Sequence, residues 1–493
     1  MNYTQFKNLA KRYNVFPVYE KVTADMLTPV MAYLKIREKD SYSFLLESVE
    51  GIGRWARYSF LGKNPSKVIY NTSDKITVIE KGQKNVITGN IFQFLKEEIK
   101  VYKCAQNEDL PDFTGGIVGY LGYENIALIE DVIKFKRLKE IGTPDSIFAV
   151  YDTIIVFDHY KHQLILITNV FMRGSQDFKK AYHKARAKLK KLRGELIKPA
   201  GNICNFKYYD YKGNGGKNKL FVAAVKKAKA NIFEGEVFQL VLSKRFNANY
   251  KGDLFNVYRA LRIINPSPYM YFLELAKDFT IIGTSPEDLL KVKNGKATIL
   301  PIAGTRKRGR TKEEDIQLEK ELLSDEKEKA EHIMLVDLAR NDLGRICKIN
   351  SIDVTENMKV RRYSHVMHIV SKVEGMLAED KDCIDALMSA FPAGTLTGAP
   401  KIRAIQLIDK YEQDTRNVYG GAVGYIDFSG NLDMCIAIRT LFAKGKIIFW
   451  QAGAGIVADS DPVMELKEVT NKSAVLINAL KYAEVINEDL GNR

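Results

Sequence analysis

Cysteine is scarce in this chain and poorly spaced for pairing. Its five cysteines (Cys104, Cys204, Cys347, Cys383, Cys435) are spread over 493 residues with no CxxC pair. That argues against a disulfide framework and against a structural zinc site. Histidine is equally rare: the six present show neither HxH nor HExxH spacing, so a histidine-rich metal centre is not expected. No GxSxG elbow and no P-loop occur, which removes two common catalytic readings. Long apolar runs are missing as well. The opening residues, MNYTQFKNLAKRYNVFPVYEKV, hold no apolar signal core. Stretches such as TIIVF and QLILI are strand-length, far short of the ~20 residues that a bilayer helix needs. A cytoplasmic protein with no membrane partner is expected.

What the chain has in excess is positive charge, +15 at pH 7. The densest basic runs are IKFKRLK (133–139), KKAYHKARAKLKKLR (179–193) and RKRGR (306–310). The second fits one helix with a solvated lysine face. A nucleic-acid reading would need aromatic residues interleaved with basic ones, or a recognisable reading module. Neither is present, so no nucleic-acid partner is expected. A milder consequence is a positive potential that attracts an anionic substrate.

Strand signals dominate the first half: KVIYN, KITVIE, GGIVGYLGY, FAVYDTIIVFD and QLILITNVF. The last two, joined by HYKH, read as a hairpin. The stretch 197–219, rich in Gly, Asn and Lys, reads as a linker. It separates an N-terminal unit (1–200) from a second unit (218–485). In the second unit, strands are expected at 236–246, 269–275, 279–284, 297–302 and 363–375, with a charged helical stretch at 313–341. YGGAVGYID, LDMCIAIRT and KIIFWQA then read as sequential antiparallel strands. A last helix begins near Pro462, where proline suits a first turn. The predicted class is α+β, with large, mostly antiparallel sheets packed in layers and flanked by helices.

Two pairs of acids stand out. Glu328 and Glu331 sit three apart at the head of a predicted helix, and Glu465 and Glu468 repeat that spacing on the last one. Residues three apart on a helix lie roughly 5–6 Å from each other and repel when like-charged. A cation between the pairs would relieve the repulsion, and Mg²⁺ takes oxygen ligands while keeping several waters. With 60 acids in 493 positions, however, such pairs arise about seven times by chance, so the spacing equally describes solvated helices.

Other motifs carry two readings each. GAGIVA (453–458) resembles a dinucleotide fingerprint, but DSDP delays the helix that should begin inside it. Its glycines still let backbone N–H groups approach a carboxylate. GTLTGAPK (394–401) is either a helix cap or an anion site at a helix start. His368, in RYSHVMHIVSKV, shares a strand face with Val366 and Val370, the ordinary setting of a core histidine. Arg439 follows CIAI and is either exposed or a carboxylate clamp.

Taken in order, PIAGTRKRG, EHIMLVDLARND, GTLTGAPK, YGGAVGY, CIAIRT and QAGAGIVADSDP resemble the chorismate-utilising enzymes over about residues 218–475. Within that family the chain is most similar to the anthranilate-forming, aminating subunits of tryptophan biosynthesis. The resemblance implies the family's layered α+β fold, a catalytic second unit and a regulatory first unit. It also implies Mg²⁺ between the two Glu-x-x-Glu helices, with Glu331 and Glu468 as direct ligands and Glu328 and Glu465 acting through water. Gly394, Thr395 and Lys472 would assist the ring carboxylate of chorismate. Tyr419, Arg439, Gly453 and Gly455 would hold the enolpyruvyl carboxylate. Glu287 in GTSPED matches the family's general acid, and His368 the histidine of the pyruvate-eliminating step.

Two positions separate the relatives. Gln239 stands where isochorismate and salicylate synthases carry a water-activating lysine, and Ala303 where aminodeoxychorismate synthases carry a nucleophilic lysine. Both point to ammonia as nucleophile. Thr397 replaces the family's common serine and keeps its hydroxyl. No cysteine here resembles a glutaminase nucleophile, which needs a glycine-flanked elbow and a histidine base. The resemblance therefore implies a separate glutamine amidotransferase subunit and a hetero-oligomer. SFLLESVEG (43–51), close to GRWARYSFLG (53–62), and NPSPYMYF (265–272) resemble the family's tryptophan-feedback element, with Ser48, Pro268, Tyr269 and Met270 as the inhibitor contacts.

Overall fold

The computed structural model describes the chain except residues 39, 49–56, 136–140, 173–176, 214, 363–365 and 489–493, and the side chains of 212, 215 and 216. Parts of SFLLESVEG, GRWARYSFLG, IKFKRLK and RYSHVMHIVSKV lie outside the described residues. Two large sheets dominate, and every ladder between the described strands is antiparallel. In the first sheet, Val15–Thr23, Gln163–Phe171, Thr153–Asp158, Tyr58–Lys63 and Ser43–Glu47 run side by side. The sheet then continues through Tyr269–Ala276, Phe279–Ser285, Thr440–Lys444, Ile447–Ile456, Gln239–Lys251 and Lys207–Lys212. The second sheet joins Ile302–Lys307, Val366–Met376, Lys296–Ile299, Asp288–Lys293, Leu432–Ile436 and Ala422–Asp427 to Gly116–Leu121 and the strands beyond it. Both ends of the sequence thus contribute to both sheets.

The sheets face each other across an apolar layer that includes Phe44, Ile154, Ile281 and Phe442 from one and Val118, Ala149, Val423 and Cys435 from the other. Helices cover the outer faces: Pro462–Val485, Phe178–Ile197 and Phe255–Ile264 on the first sheet, Glu326–Gly344 and Cys383–Ala390 on the second. Both faces of the central strands are therefore buried, which explains near-continuous apolar strands such as SIFAVY and TIIVFD.

Four expected elements differ. FAVYDTIIVFD is two strands: Ser146–Tyr151 lies in the second sheet and Thr153–Asp158 in the first, with the chain crossing at Asp152. The 297–302 strand splits at Leu300 and Pro301 into Lys296–Ile299 and Ile302–Lys307, because Pro301 has no N–H for the ladder. The 313–341 helix is two helices, Lys312–Ser324 and Glu326–Gly344. Asp325 ends the first and caps the second, its carboxylate accepting from the N–H groups of Lys327 and Glu328 at 3.1 and 3.2 Å. The expected linker carries the strand Lys207–Lys212, which pairs with Gln239–Lys251 and gains its ladder only from that tertiary contact. Among the described residues, no helix is long and apolar enough to cross a membrane.

Candidate active site

The site forms where two paired chains pass together from one sheet to the other. Phe279–Ser285 pairs with Thr440–Lys444 in the first sheet, and Asp288–Lys293 pairs with Leu432–Ile436 in the second. Pro286 and Glu287 bridge one chain, and Ala437 to Arg439 bridge the other. The crossing stays hydrogen-bonded: Ile436 N–H donates to the Glu287 carbonyl at 3.0 Å, and Thr284 N–H to the Arg439 carbonyl at 3.2 Å. Arg439 adopts φ +48°, an uncommon conformation for a side-chain-bearing residue. It turns the chain out of the strand, so Arg439 is not a strand residue, and its side chain lines a cleft of about 580 Å³ with Glu465, Glu468 and Lys472.

Glu287 lines a smaller cavity with Leu338, Gly394, Thr395 and Ile436. Burial pushes its carboxyl above the ordinary range, and Arg439, the Thr395 hydroxyl and Lys472 oppose this in part. Thr395 Oγ1 donates to Glu287 Oε2 at 3.3 Å. The turn Gly394–Thr397 leans on the Glu326–Gly344 helix, since a Cβ on Gly394 would lie 2.9 Å from Leu338. Lys401, at the end of the same motif, pairs with Asp342 at 2.9 Å. These two residues close their motifs in the sequence, and the readable signal for their pairing is only their opposite charge.

The four glutamates sit near the heads of two helices. The Pro462–Val485 helix is capped by Asp461, which accepts from Val463 and Met464 at 2.9 Å. Acids in an opening turn complement the helix dipole. Burial, Glu328 and Glu468 all push the Glu331 carboxyl up, so the two helices share one electrostatic site. Burial and Glu468 do the same to Glu465. Protein cations answer these charges: Lys472 pairs with Glu468 at 2.7 Å, and Arg306 with Glu328 at 3.2 Å. Among the described residues, no three acid, histidine or cysteine side chains stand close enough together to hold a metal ion. The donor set still fits a hard cation, because its carboxylates disfavour one another's charge and attract the available ammonium and guanidinium groups. Arg306 on Glu328 is a contact that reasoning from the sequence missed.

The opposite wall is built on close backbone approach. A Cβ on Gly453 would stand 2.7 Å from the Tyr419 hydroxyl, and one on Gly455 2.6 Å from Gln239 Nε2. GAGI belongs to the strand Ile447–Ile456 rather than to a strand–helix turn, so the dinucleotide reading is excluded. Lys472 Nζ also reaches the Gly453 carbonyl at 3.1 Å, joining this wall to the last helix. His368 is half-buried on Val366–Met376, opposite Thr305. Its Nδ1 lies 3.0 Å from both the Gly304 carbonyl and Thr305 Oγ1. A carbonyl only accepts, so Nδ1 carries the proton and the neutral ring has its basic lone pair on Nε2. Ala303 lies one residue from this contact, on Ile302–Lys307.

The expected feedback residues meet elsewhere. Glu47 pairs with Met270 across neighbouring strands; Ser48 follows Glu47, and Pro268 and Tyr269 precede Met270. Met270 is buried, and Tyr269 donates to Asp433 at 2.8 Å.

Residues 50–478 match the family of chorismate binding enzymes. The chain is also 46% identical to anthranilate synthase component 1 of Acetivibrio thermocellus, over 97% of this chain and 98% of that one. The chain belongs to the chorismate-binding enzymes, in their anthranilate synthase component I branch. Component 1 of Aquifex aeolicus is 43% identical, over 98% of both chains. The crystal structure of anthranilate synthase component I from Streptococcus pneumoniae superposes with a TM-score of 0.73 at 38% identity, over 93% of this chain and 99% of that one. The menaquinone-specific isochorismate synthase of Escherichia coli shares the fold, with a TM-score of 0.70 at 18% identity over 97% of this chain and 99% of its own.

Proposed function

We propose that this chorismate-binding enzyme converts chorismate and ammonia into anthranilate, pyruvate and water, in the cytoplasm, as a step of tryptophan biosynthesis. The observation that carries this reading is the joint crossing of Glu287 and Arg439, which sets an acid of raised pKa beside a fixed guanidinium. The substrate is a dianion. Arg439, Tyr419 and the Gly453–Gly455 backbone suit its enolpyruvyl carboxylate, while Gly394, Thr395 and Lys472 suit its ring carboxylate. Glu331 and Glu468 would hold Mg²⁺ directly, and Glu328 and Glu465 would hold it through water. When bound, Mg²⁺ supplies positive charge to the ring carboxylate.

In the first step ammonia adds at C2 and the C4 hydroxyl leaves. Hydroxide is a poor leaving group, so Glu287 in its protonated form delivers a proton to it. In the second step the C2 proton is removed, the enolpyruvyl group leaves as pyruvate and the ring becomes aromatic. His368 serves that step, with Nδ1 held by Gly304 and Nε2 as the basic atom. Gln239 and Ala303 supply no competing lysine. Ammonia comes from glutamine through a separate amidotransferase subunit, so the working enzyme is a hetero-oligomer. Tryptophan inhibits from the Ser48, Pro268, Tyr269 and Met270 cluster, whose Tyr269 and Met270 pair with the strand that leads into the acid.

The test gives the purified chain chorismate and Mg²⁺ with either ammonium or glutamine. Anthranilate from ammonium but not from glutamine is the expected result. An aminated or hydroxylated product that retains the enolpyruvyl group would overturn the reading.

A further inference from the structure

Arg416 is 1% exposed and lies outside every motif considered above. Its guanidinium donates to four oxygen atoms on three segments. Nε and Nη2 take both oxygens of Glu412 at 3.0 and 2.6 Å. Nη1 takes the Leu396 carbonyl at 2.6 Å, and Nη2 also takes the Val241 carbonyl at 2.8 Å. Leu396 belongs to the turn carrying Thr395, and Val241 lies two residues along the strand from Gln239. The guanidinium stacks at 4.5 Å on Tyr123 and at 5.6 Å on Tyr419. The backbone is held as tightly. Glu124 accepts the N–H groups of Arg416 and Asn417 at 2.7 and 2.9 Å, and Tyr419 N–H donates to the Arg416 carbonyl at 3.0 Å. Glu412 in turn accepts from the N–H and hydroxyl of Ser243, both at 2.7 Å. Ser243 underlies Gly453, whose added Cβ would meet the Ser243 Cβ at 3.1 Å.

We propose that Arg416 is a positioning residue for the substrate: it fixes the Tyr419 hydroxyl against the Gly453 backbone and the Gly394–Thr397 turn against Glu287. The inference rests on the roles given to Tyr419 and Thr395 above. A buried guanidinium needs acceptors for its remaining N–H groups as well as a counter-charge. Arg416 takes them from the turn that carries Thr395 and from the strand paired with Gly453–Gly455, so one planar fork joins both walls of the site. Lysine keeps the charge but offers one compact donor group, so it cannot hold all three segments at once.

The test is a double-mutant cycle on chorismate turnover with ammonium. Wild-type turnover is measured first and tests the functional reading by itself. Arg416→Lys is expected to lower kcat/KM by about tenfold to a hundredfold, the range for a small misplacement of binding groups, mostly through a higher chorismate KM. In the Tyr419→Phe background, which has no hydroxyl to position, the same substitution is expected to cost at least about threefold less, the remainder being the share of the Gly394–Thr397 turn. Arg37→Lys, which weakens pairs to Asp253 and Glu274 at the far end of the Tyr269–Ala276 strand, is the control; it should lower Tm while kcat/KM stays within twofold. If Arg416→Lys does not fold, Tyr123→Leu removes one stacking face and leaves the charges paired, and the same cycle is run with it. An equal fold-loss in both Tyr419 backgrounds overturns the proposal.

Discussion

The hydroxyl of Thr395 points at the carboxyl of Glu287, 3.3 Å away, so a turn over one sheet touches the acid that bridges both. Glu287 is raised by burial and opposed by this hydroxyl. In the proposed mechanism protonated Glu287 is the working form, so activity is expected to fall as pH rises through its pKa. Thr395→Val removes a bond that favours the charged form. The basic limb of kcat, plotted at constant free ammonia, should move to higher pH. A shift to lower pH contradicts the assignment. Glu287→Gln should abolish amination across the whole profile.

His368 Nδ1 lies 3.0 Å from the Gly304 carbonyl, which can only accept. His368→Ala should spare amination and block pyruvate loss, so the aminated intermediate should accumulate and be seen by mass spectrometry. Wild-type anthranilate output from this variant would remove His368 from the second step.

Gly453→Ala would set a Cβ 2.7 Å from the Tyr419 hydroxyl and 2.9 Å from the Leu242 carbonyl. Overpacking of this kind costs about 1–3 kcal/mol. Chorismate KM should rise by roughly tenfold, since about 1.4 kcal/mol is a factor of ten, while Mg²⁺ dependence stays as in the wild type. An unchanged KM would show that this wall does not contact substrate.

Glu374 ties three strands of the second sheet together. Burial works against its charge, but Lys372, Lys296 and Thr355 outweigh burial and hold its pKa at about 2, below the ordinary 4.5. A depressed carboxyl contributes stability that is fully present above pH 4.5 and is lost as pH falls towards 2. Allowing for screening of the half-exposed lysines, that contribution is on the order of 2 kcal/mol. Glu374→Gln should lower the urea midpoint at pH 7 and flatten its decline between pH 4.5 and 2. An unchanged slope would place the acid sensitivity elsewhere.

The strands, the layered class and the head of the last helix were legible because apolar runs and Pro462 act locally. The spacing of Glu328/Glu331 and Glu465/Glu468 was legible as well. Their convergence was not, because nothing in an i,i+3 pair specifies what it faces. Family resemblance supplied that expectation, and Glu468 on the other helix helps to raise the Glu331 carboxyl. The sheet crossings at Asp152 and Arg439 were hidden because both halves of each are strand and read as one run; at Glu287 the strand 279–284 was expected, but not the change of sheet beyond it. Arg416, Glu412 and Glu124 were missed for a related reason: single charged residues look like surface until the fold closes over them. Lys207–Lys212 looked like linker because an edge strand of polar residues depends on its neighbour for its ladder.

As proposed, two helix heads and a sheet crossing together make a Mg²⁺-dependent site that aminates chorismate. The direct measurement is anthranilate fluorescence from the purified chain with chorismate and ammonium at high pH, titrated with Mg²⁺ and then with EDTA. The signal should rise with Mg²⁺ and vanish with EDTA. Glu465→Gln, acting through water, should raise the Mg²⁺ requirement by roughly 10–100-fold, and Glu468→Gln by more. Anthranilate formation that is indifferent to EDTA, or Glu468→Gln with a wild-type Mg²⁺ titration, would contradict the account.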